Sequence, residues 1–190
     1  KYGYFTQQLS AQGDQVANYE PQDFTKTPAV PLMTEEGKWL TISVAFPGRN
    51  IYARVWKVEV GRIDLYLLDT DFEKNLPEDR FVSHQLYGGD WENRLKQELV
   101  LGIGGIRALR ALGSYAEVYH CNEGHAAFIG LERLREYVQN ENMTFSQAIE
   151  IVKGSSLFTT HTPDPPCALI SLITFQKVCR PLSECCFAFL

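Results

Sequence analysis

The sequence predicts a mixed α/β fold in which an antiparallel β meander precedes parallel strands joined by helices. Three strand patterns with short turns between them follow one another from residue 39 to residue 70. After residue 90 the pattern becomes helix, strand, helix, helix, strand, which is typical of a parallel sheet with helical crossovers. Both of these later strands end in a polar turn that carries a histidine, and α/β proteins bind ligands at such turns.

The overall composition restricts the function classes. A hydrophobic content of 45% and a charged content of 22% are those of a soluble globular protein. The net charge of −5 gives no basic footprint for nucleic acid, and the longest apolar run, near residues 168–175, is too short to span a membrane. The first residues show no signal peptide, and the five cysteines match no CxxC pair, which favours a reduced, cytoplasmic protein.

The first 90 residues supply the meander and its connections. Residues 1–19 predict a strand end that leads into a loop or a short helix, and the proline-rich residues 21–31 predict an extended segment. The charged, turn-rich residues 71–90 predict a surface loop. Apolar and polar residues alternate in the meander strands, which predicts one solvated face. These strands are expected at residues 39–46, 51–60 and 63–70.

Helical periodicity begins at about Trp91, with Asp90 as a plausible N-cap, and ends at Gly113. The glycine-rich residues 101–107 lie inside this helix and fit neither a dinucleotide-binding nor a Walker A spacing. Three glycines in a helix each cost about 1 kcal/mol, so we interpret them as small residues that let a neighbouring element approach closely.

The remaining elements form the predicted crossover. Residues 116–121 predict a short buried strand, and a helix follows from Glu123 to about residue 140. Thr144-Phe145-Ser146-Gln147 resembles a capping box that opens a second helix through Lys153, and residues 156–161 predict the second strand. In the first of these helices Phe128, Leu131, Leu134 and Val138 are expected on one face, with Glu132, Arg135 and Glu136 turned outward.

The first polar turn, Asn122-Glu123-Gly124-His125, offers a compact hydrogen-bonding set for a polyhydroxylated ligand. Its backbone N–H groups are expected to point outward at a helix N-terminus. The alternative is that Asn122 and Glu123 only cap the helix, and spacing alone leaves the two open. His161, in the second turn, supports a ligand site more weakly, but parallel neighbours would place both turns on one rim.

Two other chemistries are possible at the first turn. His120, Cys121 and His125 could hold a metal, but they lack a further ligand at a recognised spacing, and adjacent strand residues point to opposite faces. A Cys–His nucleophilic pair is a further alternative, although a cysteine at the end of a buried strand is most often a small apolar filler.

At these residues the chain resembles the bacterial-type α-glucan (glycogen, starch or maltodextrin) phosphorylases. The motifs occur in the family's order and cover nearly all of the chain from Tyr2 to Pro163. They are YGYFTQ (2–7), LYGGDWENRLKQELVLGIGGIRALRALG (86–113), VYHCNEGHAAFIGLERLRE (118–136) and FTTHTP (158–163).

The resemblance implies a partial Rossmann-like N-terminal lobe of a two-lobe (GT-B type) glycosyltransferase. The family releases glucose 1-phosphate from α-1,4-glucans by retaining phosphorolysis, in which orthophosphate is the second substrate. Its cofactor is pyridoxal 5′-phosphate, whose phosphate exchanges a proton with the substrate phosphate. The full-length protein would be a cytoplasmic homo-oligomer.

Carried over by motif, the substrate-binding residues are Asn122, Glu123, His125, His161 and Asp90. Gly88 and Gly89, with Asp90, match a mobile loop near the site mouth. In the family, the Schiff-base lysine belongs to the C-terminal lobe, and the glycine loop that binds the cofactor phosphate precedes YGYFTQ. The cofactor-binding residues of this chain are therefore unknown. No catalytic set is complete in this chain. No metal is implied.

The resemblance stops at Pro163. Residues 1–163 are interpreted as the partial lobe, and residues 164–190 as a tail outside the family pattern, misframed or disordered; resequencing the encoding DNA past Pro163 would test a frame shift. Because the chain starts at Lys1 without an initiator methionine, we expect a larger protein. The isolated chain is expected to be inactive, and the alternative function is a non-catalytic glucan-binding or structural fragment.

Overall fold

The computed structural model describes residues 2, 5–86, 89–159, 161 and 186–189. They form two compact units whose boundary follows Arg94, and the strand at residues 186–189 belongs to the first unit. The fold is mixed α/β, as the sequence predicted. The strands are β1 (Thr6–Leu9), β2 (Gln15–Asn18), β3 (Val30–Pro31), β4 (Thr41–Phe46), β5 (Arg49–Val60), β6 (Ile63–Asp69), β7 (Tyr119–Asn122), β8 (Ser156–Thr159) and β9 (Cys186–Phe189). The helices are α1 (Pro77–Arg80), α2 (Trp91–Leu99), α3 (Gly105–Ala111), α4 (Ile129–Gln139) and α5 (Phe145–Gly154).

The predicted antiparallel meander is confirmed and forms the core of the first unit. Strand β5 pairs antiparallel with β4 on one side and with β6 on the other. Three alternating residues in the middle of β5, Ile51, Ala53 and Val55, are completely buried. The opposite face is partly solvated, since Thr41, Ala45 and Asn50 are exposed. Aromatic packing covers another part of it, where the Arg54 guanidinium lies 4.2 Å from the centre of the Trp39 ring.

Residues 71–90 are not a simple surface loop, and that prediction is wrong for their central part. The Asn75 side chain is buried and bonds both the N–H and the C=O of Tyr52, at 2.8 and 2.7 Å. Asp79, on α1, is also buried and accepts two hydrogen bonds from Arg49, at 2.6 and 2.8 Å. Polar side chains can be buried when they are hydrogen-bonded in this way, so a charged sequence does not imply an exposed one.

The start of the chain and β9 complete the first unit. Strands β1 and β2 form an antiparallel hairpin, where the sequence predicted a strand end and a loop or helix. The expected extended segment contains a short 3₁₀ turn, Phe24–Lys26, before β3 pairs with β5. Strand β9 pairs in parallel with β6. The division into residues 1–163 and 164–190 stays a prediction, since residues 162–185 lie outside the described part of the chain.

The predicted helix after Asp90 is present, with a π-helical turn, Val100–Gly104, between α2 and α3. Asp90 caps it as expected: its Oδ1 accepts the N–H of Asn93 at 2.9 Å. The glycine-rich stretch coincides with the π turn and does pack closely. A Cβ added to Gly102 would lie 2.7 Å from the Cβ of Phe128 and 2.9 Å from the N of Ile129. Among the described residues, no helix combines the length and apolarity needed to cross a membrane.

We expect Gly102→Ala to lower the free energy of unfolding by about 1–3 kcal/mol, because backbone atoms of the neighbouring segment must move to admit the methyl group. Gly154→Ala is the matched control, since nothing lies within 4 Å of its added Cβ. Urea unfolding should show the control unchanged or up to about 1 kcal/mol more stable. Equal losses in both variants would contradict close packing at Gly102.

The orientation predicted for α4 is wrong at Glu132. This carboxylate is 2% exposed and accepts hydrogen bonds from Arg107 of α3, at 2.8 and 3.1 Å, and from Arg135. Leu131, expected to be inside, is 54% exposed. Burial alone would raise the pKa of Glu132, but the bonds from Arg107 and Arg135 outweigh it and leave this pKa lowered.

Glu132→Gln is expected to destabilise the unit by about 2 kcal/mol at pH 7. This is less than the 3–5 kcal/mol of a fully buried pair, because Arg107 and Arg135 keep 32% and 36% of their side-chain surface in solvent. A carboxylate with a lowered pKa adds stability that is lost as the pH falls through its folded pKa. The difference from the wild-type chain should therefore shrink below pH 4.5, the ordinary pKa.

Urea unfolding at pH 7 and at acidic pH measures this difference. Glu150→Gln removes a carboxylate that pairs with Lys153 but is 72% exposed, so it should change little at either pH. A Glu132→Gln effect that does not depend on pH would contradict the ion-pair explanation.

The second crossover helix, α5, begins as predicted at a capping box. Thr144 accepts the N–H of Gln147 at 3.4 Å, and the Gln147 side chain accepts the N–H of Thr144 at 3.0 Å. Helices α4 and α5 pack through Leu134, Ala148 and Val152. This pair of helices connects β7 to β8.

Candidate functional site

Strands β7 and β8 place the two polar turns side by side. The strands pair in parallel, with Asn122 opposite Thr159 at their carboxyl ends. The crossover and the shared rim are therefore confirmed. Strand β7 is shorter than predicted, and its residues alternate between buried and exposed, so it is buried on one side only.

His161, the one described residue beyond Thr159 in the second turn, is held by two residues of the first turn. Its ring Nε2 lies 3.0 Å from Oδ1 of Asn122, and its backbone N–H donates to Oε1 of Glu123. A carbonyl oxygen only accepts, so this contact assigns the proton to Nε2 and leaves Nδ1 of the neutral ring as an acceptor. A sugar hydroxyl is a suitable donor to that nitrogen.

Glu123 adopts a backbone conformation that side-chain-bearing residues rarely take, with φ of 59° and ψ of −172°. Such a conformation costs about 1–3 kcal/mol and is found where the surrounding structure enforces it, often at ligand sites. Here the N–H of Glu123 donates to the carbonyl of Thr159 at 2.7 Å, while its carboxylate accepts from His161. Glu123 thus joins the two turns through both its backbone and its side chain.

The alternative that Asn122 and Glu123 only cap a helix is not supported. Glu123 makes no side-chain capping bond, and a three-residue 3₁₀ turn, Gly124–Ala126, separates it from α4. The expected helix N-terminus directly after Glu123 is therefore wrong. His125 lies in that 3₁₀ turn and is half-buried.

The other predicted site residues lie elsewhere or outside the description. Asp90 belongs to the first unit, where its carboxylate caps α2. Gly89 has a φ of 82° in the same unit, and Gly88 lies outside the described residues. The role of these residues in binding stays a prediction.

The environment of Cys121 is that of a buried, protonated thiol. It is 1% exposed, and burial raises the pKa of its thiol to about 12, with Arg133 opposing the shift only in part. A raised pKa keeps a thiol protonated and lowers its reactivity, so the structure does not favour the Cys–His alternative.

The geometry of a metal site is also not assembled at the first turn. His120 and Cys121 lie on opposite sides of β7, as expected: the first is exposed and the second buried. The described residues contain no group of three or more histidine, cysteine, aspartate or glutamate side chains placed to hold a metal ion.

One polar contact beside the site was missed from the sequence. Nε2 of His120 lies 2.8 Å from Oγ1 of Thr159. From the sequence, His120 was a candidate only as a metal ligand. Its position two residues before Asn122, on the same side of the strand, is the signal that could have revealed this contact.

Comparison with known proteins finds similar phosphorylases, although no family model matches the sequence. A maltodextrin phosphorylase of Thermococcus litoralis is 45% identical over 165 residues, which cover 87% of this chain and 20% of the relative. A glycogen phosphorylase of Mycobacterium tuberculosis is 43% identical over 169 residues, which cover 86% of this chain and 20% of the relative. Over most of its length the chain is therefore similar to one part of the α-glucan phosphorylases.

The chain spans about a fifth of the length of those curated relatives. A glycogen phosphorylase of Aquifex aeolicus agrees, at 38% identity over 161 residues, with 85% of this chain and 23% of the relative covered. The family resemblance stated from the motifs is therefore confirmed.

Proposed function

We propose that this chain supplies part of the sugar pocket of an α-1,4-glucan phosphorylase, an enzyme that releases glucose 1-phosphate from glycogen or maltodextrin by retaining phosphorolysis. The observation that supports this most directly is the linkage of Asn122, Glu123 and His161 at the carboxyl ends of two parallel strands. Ligands bind at this edge of α/β sheets.

The chemistry of the linked residues suits a sugar. An amide, a carboxylate and an imidazole offer both donors and acceptors to hydroxyl groups, and none of them has a geometry that demands a phosphate or a base. Asn122 is exposed, and Nδ1 of His161 remains an acceptor in the neutral ring. We assign Asn122, Glu123 and His161 to binding and orientation of the glucosyl unit, with His125 beside them.

The lobe assignment is part of the same proposal. A parallel strand pair connected by two helices is the repeating unit of a Rossmann-like sheet, and β7, α4, α5 and β8 provide one such unit. We infer that this unit belongs to the N-terminal lobe of a two-lobe (GT-B type) glycosyltransferase. We further propose that Asp90 lies near the mouth of the cleft of that whole enzyme.

The described residues do not fit the pyridoxal phosphate that the family implies. A Schiff base requires a lysine at the site, and the described parts of the two turns, residues 119–127 and 159 and 161, contain none. Described lysines elsewhere are engaged, such as Lys57 with Asp64 at 3.1 Å and Lys153 with Glu150 at 3.2 Å. The role we assign to this chain is therefore confined to the sugar.

The whole protein would use orthophosphate as second substrate and act in the cytoplasm as a homo-oligomer. We expect the 190-residue chain alone to lack phosphorolytic activity. A non-catalytic glucan-binding fragment is the second candidate, because the linked pocket residues could bind a sugar without a phosphate or cofactor site.

Isothermal titration of the purified chain with maltoheptaose tests the binding role, with the β-1,4-linked cellohexaose as control. We expect maltoheptaose to bind and cellohexaose not to bind, and no glucose 1-phosphate to appear when orthophosphate is added. Equal binding of both sugars, or of neither, would overturn the glucan assignment. Release of glucose 1-phosphate would contradict the expected inactivity.

A further inference from the structure

His120 and Thr159 form a second cross-strand pair beside the Asn122–His161 pair. In the β7–β8 register Leu157 is opposite His120, and Thr159 is opposite Asn122. Each imidazole therefore contacts a partner that is displaced diagonally by two residues, which long side chains on adjacent strands can reach. The two Nε2 to oxygen distances are 2.8 and 3.0 Å.

Two atoms of Thr159 form hydrogen bonds, and both partners lie on β7 or in the turn that follows it. Its carbonyl accepts the N–H of Glu123 at 2.7 Å, and its Oγ1 meets Nε2 of His120. A β-branched side chain has few χ1 rotamers, so fixing the hydroxyl also fixes the residue. Thr159 is the last residue of β8 and lies two positions before His161, so fixing Thr159 fixes the end of the strand that precedes His161.

The contact is poorly placed to stabilise the fold. His120 is exposed, and a hydrogen bond that exchanges with water adds little to the free energy of unfolding. We propose that His120 is a positioning residue that holds Thr159 and, through it, orients His161 for the ligand. The proposal rests on the proposed function, in which His161 binds the glucosyl unit.

The test compares three separate variants. His120→Ala removes the imidazole, His120→Gln keeps an N–H donor, and Thr159→Val removes only the hydroxyl. Val118→Ala is the control, because Val118 is exposed two residues before His120. The first readout is the ¹⁵N chemical shift of the two ring nitrogens of His161 in the ligand-free chain. The second is the dissociation constant of maltoheptaose.

We expect His120→Ala and Thr159→Val to shift His161 away from the Nε2–H tautomer and to weaken binding about threefold to tenfold, the range of one hydrogen bond. His120→Gln should recover most of both effects, and Val118→Ala should change nothing. A chain that carries both His120→Ala and Thr159→Val should be no worse than either single variant. Melting temperatures should stay the same throughout.

Unchanged His161 shifts in His120→Ala, or a His120→Gln variant that behaves like His120→Ala, would overturn the positioning role. If the wild-type chain does not bind maltoheptaose, the proposed function fails. The ligand-free ¹⁵N shifts still decide the role of His120 in that case.

Discussion

Arg133→Ala is expected to lower the free energy of unfolding by about 4 kcal/mol, the largest loss of stability among the variants considered. Arg133 is 1% exposed and stacks on Tyr119, with its guanidinium carbon 4.0 Å from the ring centre. It also donates to the hydroxyls of Ser155 and Ser156. Tyr119 and Ser156 are the paired first residues of β7 and β8, so Arg133 holds the two strands together at the end opposite the site.

The size of the loss follows from two contributions. Truncation of a large buried side chain to alanine costs about 2–5 kcal/mol through lost packing and the cavity left behind. The cation–π contact contributes about 1–2 kcal/mol when desolvated. Burial lowers the pKa of the guanidinium, although the Tyr137 hydroxyl partly offsets this, so the charge itself is costly and limits the total.

Arg133→Met separates these contributions. Methionine fills most of the space, and the hydroxyls of Ser155 and Ser156 still donate to the carbonyls of Ile151 and Val152, both at 2.6 Å. We expect Arg133→Met to lose no more than half of what Arg133→Ala loses in urea unfolding. Equal losses would show that the polar contacts, and not the packing, dominate.

Glu123→Ala is expected to weaken maltoheptaose binding about tenfold to a hundredfold, the range of one hydrogen bond to a charged group. The variant removes the carboxylate that accepts the N–H of His161, so the second turn loses a link to the first. Glu123→Gln keeps an acceptor oxygen and should lose less. Isothermal titration of the three chains measures the order.

Glu123→Gly separates binding from backbone strain. Glycine adopts a φ of 59° without steric cost, whereas alanine keeps the strain of about 1–3 kcal/mol. The glycine and alanine variants should therefore bind equally weakly, while the glycine variant unfolds at a higher urea concentration. A glycine variant that binds as well as the wild-type chain would contradict a role for the carboxylate.

The sequence predicted the parts of the fold that depend on local pattern. Alternation located β5, and Thr144 and Gln147 located the start of α5 through their capping bonds. The parallel rim followed from the order of helices and strands. Family motifs then selected the turn residues, of which Asn122, Glu123 and His161 are brought together.

The sequence did not predict what depends on partners distant along the chain. Glu132 is charged, and nothing in its own helix shows that Arg107, 25 residues away, makes its burial possible. Asn75 and Asp79 are buried for the same reason, by partners in β5. The left-handed backbone of Glu123 was also unforeseen, because pattern reasoning expects positive φ at glycine or asparagine.

The most direct test of the sugar pocket is an amide and side-chain NMR titration of the chain with maltoheptaose. We predict that the largest shifts occur at the backbone of Asn122 and Glu123, the side-chain amide of Asn122, and the ring nitrogens of His161, with small changes across the β4–β5–β6 meander. Maltoheptaose that shifts the meander and leaves the two turns unchanged would contradict a glucan site at the ends of β7 and β8.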